Sequence, residues 1–280
     1  MDSIINTYNY INEDLSNPIT KDWFLLSSVW PVLGIVIVYN IFSTKLGPYL
    51  MRNRQPYDLK NVIKLYNIFQ VLISAHLVYE GFSYILHKDY NPVCQGPDDA
   101  DEERSLRIAG NIYTYFILKI IELLDTVFFV LRKSYRQVST LHLHHHSLMP
   151  IASWIAVKYI PGGQCVLVGW INSFVHVIMY GYYLISGLGP QYKKYLWWKK
   201  YVTILQLIQF GVIGVHSFIS MFFPCSYPFV FKILTICYAA VFINMFGKFY
   251  YQSYIKRKPE QNGKSNGVKH TKKHLENKRK

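Results

Sequence analysis

Charge is what this chain most lacks. Only 16% of its residues are Asp, Glu, Lys or Arg, whereas 51% are hydrophobic and 17% aromatic. The few charges are gathered into short segments between long apolar runs, and runs that are apolar on every side leave too few polar faces to clothe a soluble helical protein. A cleavable leader is not expected either. The first twenty-odd residues are polar, with no basic stretch followed by an apolar core, so the first apolar run is expected to serve as the targeting signal. Internal repeats are absent, and the chain reads as one domain.

Apolar length is present instead. A membrane-spanning helix needs about 20 mostly apolar residues, and seven windows qualify: 26–42, 62–86, 110–131, 141–158, 163–186, 201–223 and 228–251. The expected fold class is an all-α integral membrane protein with seven transmembrane helices. Its expected parts are an N-terminal segment (1–25), a membrane domain (26–254) and a basic, disordered tail (255–280).

Loop charge sets the expected orientation. Lys45, Arg52, Arg54 and Lys60 follow the first window, Arg132, Lys133 and Arg136 the third, and Lys193, Lys194, Lys199 and Lys200 the fifth, while the tail is dense in Lys. The alternate loop over 87–107 is acidic. The positive-inside rule then puts the C-terminus in the cytosol and the N-terminus in the lumen. The same bias accounts for most of the formal charge of +14, so nucleic-acid binding is not inferred. Of the four cysteines, Cys165 and Cys237 lie in or beside apolar runs as small core residues. Cys94 and Cys225 fall in two lumenal loops, where an oxidising compartment favours a disulfide.

Ionisable groups inside membrane spans cost about 2.5–3.5 kcal/mol each at a helix centre, yet the third window carries Lys119, Glu122 and Asp125. The fourth opens with Leu141-His142-Leu143-His144-His145-His146. At i, i+3 and i+4, His142, His145 and His146 share a helix face, and His144 points away. Imidazoles so placed serve as metal ligands, bases or nucleophiles. Lys119 and Glu122 are spaced either to neutralise one another or to bind an anion and orient histidines. Asn172, His176 and Tyr180 form a stripe on the fifth window. Thr203, Gln206 and Gln209 form a weaker one on the sixth, where helix–helix hydrogen bonding is the expected role. All these polar groups converge in the cytosolic half of the membrane, which suits a ligand with an anionic head and an apolar tail, such as a fatty acyl-CoA.

Two enzyme classes use His-x-x-His-His in a membrane. Di-iron desaturases and hydroxylases need several boxes. Beyond the cluster only His76, His176 and His216 lie in spans here, and none forms a second box. A receptor or channel is the non-enzymatic alternative, disfavoured by the histidine face.

The second class is carried by a resemblance. Lys119-Ile-Ile-Glu122-Leu-Leu-Asp125 resembles the Lys-x-x-Glu-x-x-Asp segment of very-long-chain fatty acid elongases, and Gln137 to His146 resembles their histidine box. Asn172-x-x-x-His176-x-x-Met179-Tyr180-x-Tyr182-Tyr183, Lys194 to Lys200, Thr203-x-x-Gln206-x-x-Gln209 and Leu46 to Arg54 also match, in order, between about residues 22 and 251. Where His144 stands, the family usually has Tyr or Phe, and Lys278 lacks the second lysine of a dilysine retrieval signal.

The resemblance implies an endoplasmic reticulum enzyme in which the second to seventh helices form a barrel around an acyl tunnel. It implies an acyltransferase, the 3-oxoacyl-CoA synthase of the elongation cycle: acyl-CoA plus malonyl-CoA gives 3-oxoacyl-CoA, CO2 and CoA, with no metal or other cofactor. Separate reductases and a dehydratase are the implied partners, and a homodimer is possible. Spacing and family together make His145 the expected nucleophile of a ping-pong reaction; the alternative is a ternary complex in which the histidines act only as bases and hydrogen-bond donors. His176 and Asn172 would stabilise the enolate, and His142 and His146 would orient His145 or shuttle protons. Lys119, Arg132 and loop lysines would hold CoA phosphates and carboxylates. Glu122 and Asp125 would position their neighbours, with Tyr180 and Gln206 also lining the substrate site.

Overall fold

The structure, a computed structural model, describes residues 2–97 and 101–256. Asp98, Asp99, Lys278 and nearly all of the expected basic tail lie outside the described residues. Every regular element among them is helical. In chain order the α-helices are α1 (Asp2–Asn9), α2 (Trp30–Ile41), α3 (Gly47–Met51), α4 (Lys60–Ile85), α5 (Glu102–Ile121), α6 (Leu124–Leu131), α7 (Thr140–Tyr159), α8 (Gln164–Gly187), α9 (Lys199–Ser220) and α10 (Phe229–Tyr250).

Five segments are long and apolar enough to cross a membrane: Trp30–Met51, Lys60–Ile85, Gln164–Gly187, Lys199–Ser220 and Phe229–Ile255. The chain is therefore a multi-pass membrane protein. The first and last of these gain length from π-helical turns at Phe42–Leu46 and Tyr251–Ile255. The remaining two expected windows are helical but more polar. The window 110–131 divides into α5 and α6 at Glu122 and Leu123, while α7 gives four positions to histidine and one to Lys158. Length is no obstacle for α7, whose 20 residues extend about 30 Å.

Helix α4 packs along α8, α8 against α9, and α9 along α10; α10 touches α7, α7 packs along α5, and α5 touches both α4 and α8. Helix α2 lies against α7, and α3 against α6. The α4–α8 seam is close because residue 81 is glycine: a Cβ there would stand 2.8 Å from Trp170 Cγ. The α7–α8 turn needs Gly163, whose φ of 63° suits glycine.

The segment expected as a separate N-terminal part is packed onto the end of α7. Thr20 Oγ1 donates to the Val157 carbonyl at 2.7 Å, Trp154 Nε1 to that of Leu25 at 2.8 Å, and buried Lys158 Nζ to that of Leu26 at 2.7 Å. Leu26, Val32, Ile108, Phe116, Trp154 and Val157 form one buried cluster beneath it. At this same end a disulfide joins Cys94 to Cys225, with Cα atoms 5.8 Å apart, tying the loop before α5 to the loop before α10.

Candidate active site

Tyr115, Lys119 and Glu122 follow one another at i, i+4 and i+7, which puts them on one face at the end of α5. Beyond Ile120 the backbone tightens. Leu123 N–H bonds the Ile120 carbonyl and Asp125 N–H that of Glu122, both i to i−3. This tightened turn joins α5 to α6 and carries Asp125 on to the α8 stripe.

The two stripes meet residue by residue. Tyr115 Oη donates to Asn172 Oδ1 at 2.8 Å. Lys119 Nζ sits 4.6 Å above the Tyr115 ring and donates to Glu122 Oε1 at 2.7 Å. The same carboxylate oxygen is 3.1 Å from His176 Nδ1, and Tyr180 Oη donates to Asp125 Oδ2 at 2.7 Å. Lys119 and Glu122 are each 1% exposed, so the pair is fully withdrawn from solvent. Lys119 Nζ stands 3.4 Å from His176 Nδ1, so Lys119, Glu122 and His176 close into one triangle at Nδ1 and leave Nε2 free of them.

The histidine box opens α7. Ser139 caps the helix, its Oγ accepting from His142 N–H at 3.2 Å. His142 Nε2 is 2.8 Å from Thr126 Oγ1, which is in turn 2.8 Å from Tyr39 Oη. Ring centroids of His142 and His146 are 4.2 Å apart, and those of His145 and His146 5.3 Å. His145 packs at 5.1 Å against Phe242 of α10 and interacts electrostatically with His176, Lys119 and Glu122. His144 is exposed on the opposite face, bonded to the carbonyl of Thr140 at 2.8 Å.

A mainly apolar cavity of about 350 Å³ runs from Tyr115, Met149, Asn172 and Phe242 toward Tyr84 and Tyr227 at the disulfide end. Lys119, His145, His176 and Phe246 each stand one helical turn, about 6 Å, beyond those first four residues. The charged cluster and the box therefore sit at one end of the cavity on four different helices.

Four predicted residues lie apart from this cluster. Arg132 is exposed at the end of α6. Gln206 Nε2 donates to Met179 Sδ at 3.5 Å, an α9–α8 contact. Cys94 and Cys225 occupy the far end. Tyr115, Thr126 and Tyr39 were missed by the sequence reading. Tyr115 was legible as the residue one turn before Lys119 on the same face. Thr126 and Tyr39 carried no signal, because they are joined across 87 positions of sequence. Among the described residues no group of three or more His, Cys, Asp or Glu side chains is arranged to hold a metal ion.

Residues 24–262 match the model of the ELO family, described as GNS1/SUR4. A very long chain fatty acid elongase of Aedes aegypti is 43% identical over 251 residues, covering 89% of this chain and 70% of the relative. Very long chain fatty acid elongase 7 of Drosophila melanogaster is 41% identical over 259 residues (91% and 78%). Very long chain fatty acid elongase 4 of Mus musculus is 41% identical over 263 residues (91% and 84%).

Proposed function

Because this chain belongs to the GNS1/SUR4 (ELO) family and so has a role in very-long-chain fatty acid elongation, we propose that it is the condensing enzyme, joining acyl-CoA to malonyl-CoA. The observation that carries the reading is the cluster at the cavity's end. There a histidine box on α7 faces a buried Lys119–Glu122–His176 group on α5 and α8, beside an apolar space suited to an acyl chain.

In this reading α5–α6 and α7 also cross the membrane, giving seven spans. Helices α4 to α10 enclose an acyl tunnel, a barrel supported by the run of contacts from α4 through α8, α9, α10 and α7 to α5 and back. The site opens toward the cytosolic face of the endoplasmic reticulum, where Arg132 and the loop lysines hold CoA phosphates. Lys119, buried and paired, acts within the site on the malonyl carboxylate and on His176.

The proposed chemistry has two stages. A nitrogen of His145 attacks the acyl thioester, the C–S bond breaks, and CoA leaves as the acyl-imidazole forms. Malonyl-CoA then enters and its C–CO2 bond breaks. The resulting enolate attacks the acyl carbonyl, and the bond to His145 is released. Charge develops on the enolate oxygen, so fixed donors there lower the barrier. His176, oriented by Glu122, and Asn172, held by Tyr115, supply them, while His142 and His146 orient His145. Microsomes carrying the chain should elongate labelled malonyl-CoA onto acyl-CoA, and His145→Ala should abolish this. Normal elongation by the variant would contradict the reading.

A further inference from the structure

The cavity wall beside the site is not uniformly apolar. Ser173 on α8 and Gln209 on α9 line the cavity, at 2% and 4% exposure. Ser173 Oγ and Gln209 Oε1 have no hydrogen-bond partner, and neither does the buried Nε1 of Trp170, which also lines the cavity. Three buried hydrogen-bonding atoms without partners on residues that line one cavity are unusual, since such groups carry an unrecovered desolvation cost. Gln209 was expected to bind a neighbouring helix, but only Gln206 of that stripe reaches across to α8. Along α8, Ser173 lies about 4.5 Å and Trp170 about 9 Å from His176. An acyl chain whose carbonyl is at His145 would pass this ledge with its first several carbons.

Resting on the acyl-CoA reading above, we propose that Ser173, Gln209 and Trp170 form a specificity ledge for acyl chains hydroxylated near the thioester. A hydroxyl both donates and accepts, so according to the carbon that carries it a hydroxyl can satisfy Gln209 Oε1, an acceptor, or Trp170 Nε1, a donor, while Ser173 Oγ serves in either sense. A plain methylene leaves all three unpaired.

The test compares plain, 2-hydroxy-, 3-hydroxy- and 6-hydroxyacyl-CoAs of equal chain length with labelled malonyl-CoA, using the full-length protein in microsomes. At least one hydroxylated substrate should match or exceed the plain chain in kcat/KM. Ser173→Ala and Gln209→Leu should each lower that hydroxyl-to-plain ratio about tenfold. The ledge is overturned if every hydroxylated chain falls more than tenfold below the plain one, or if the ratio is unchanged in both variants. The wild-type comparison decides the first point even where a variant fails to fold. Turnover of no acyl-CoA at all would instead contradict the condensing-enzyme reading.

Discussion

Glu122 Oε1 lies 3.1 Å from His176 Nδ1 and 2.7 Å from Lys119 Nζ, and those two nitrogens are themselves 3.4 Å apart. One carboxylate thus joins α5 to α8 and fixes the ring of the histidine that faces the box. Desolvating a charge is tolerable only when it is paired, and breaking such a pair leaves the other charge stranded, a cost of about 3–5 kcal/mol.

Glu122→Gln should therefore destabilise the protein and lower turnover at least 100-fold. The double variant Lys119→Met/Glu122→Leu should recover thermal stability in detergent, since no unpaired charge remains, without recovering activity. Equal stability losses in the single and double variants would show that the pair is not the cause.

Tyr115→Phe removes only the donor to Asn172 Oδ1. Turnover should fall about tenfold with little change in KM, because the effect is on orientation of a group used during reaction. Steady-state kinetics at varied malonyl-CoA would check this, and a change confined to KM would oppose it.

Thr126→Val keeps the shape but removes the hydroxyl between Tyr39 and His142. A loss of about 1 kcal/mol in stability is expected, with a turnover defect smaller than that of His142→Ala. Thermal unfolding and elongation assays on the two variants give the comparison.

Much of this site was legible in the sequence because helical spacing alone assigns faces. The box at 142, 145 and 146 and the stripe at 172, 176 and 180 follow from the 3.6-residue period. Which stripe meets which did not follow: that Asp125 pairs with Tyr180, and Glu122 with His176, depends on the packing of α5, α6 and α8. The break at Glu122 was equally hidden, since no proline or glycine marks it. The docking of residues 17–26 on α7 rests on backbone carbonyls of Leu25, Leu26 and Val157, groups every residue has and no pattern reveals.

The Cys94–Cys225 bridge closes a loop across 131 positions. Cys225→Ser should lower stability by about 2–4 kcal/mol and abolish the mobility difference between reduced and unreduced protein. A variant as stable as the parent would contradict a structural role for the bridge.

Incubation with acyl-CoA alone tests the central claim most directly. The account predicts stoichiometric release of CoA without malonyl-CoA, and an acyl mass on the peptide bearing His145 that is lost in His145→Ala. No CoA release and no acylated peptide, in protein that elongates normally when malonyl-CoA is added, would contradict it.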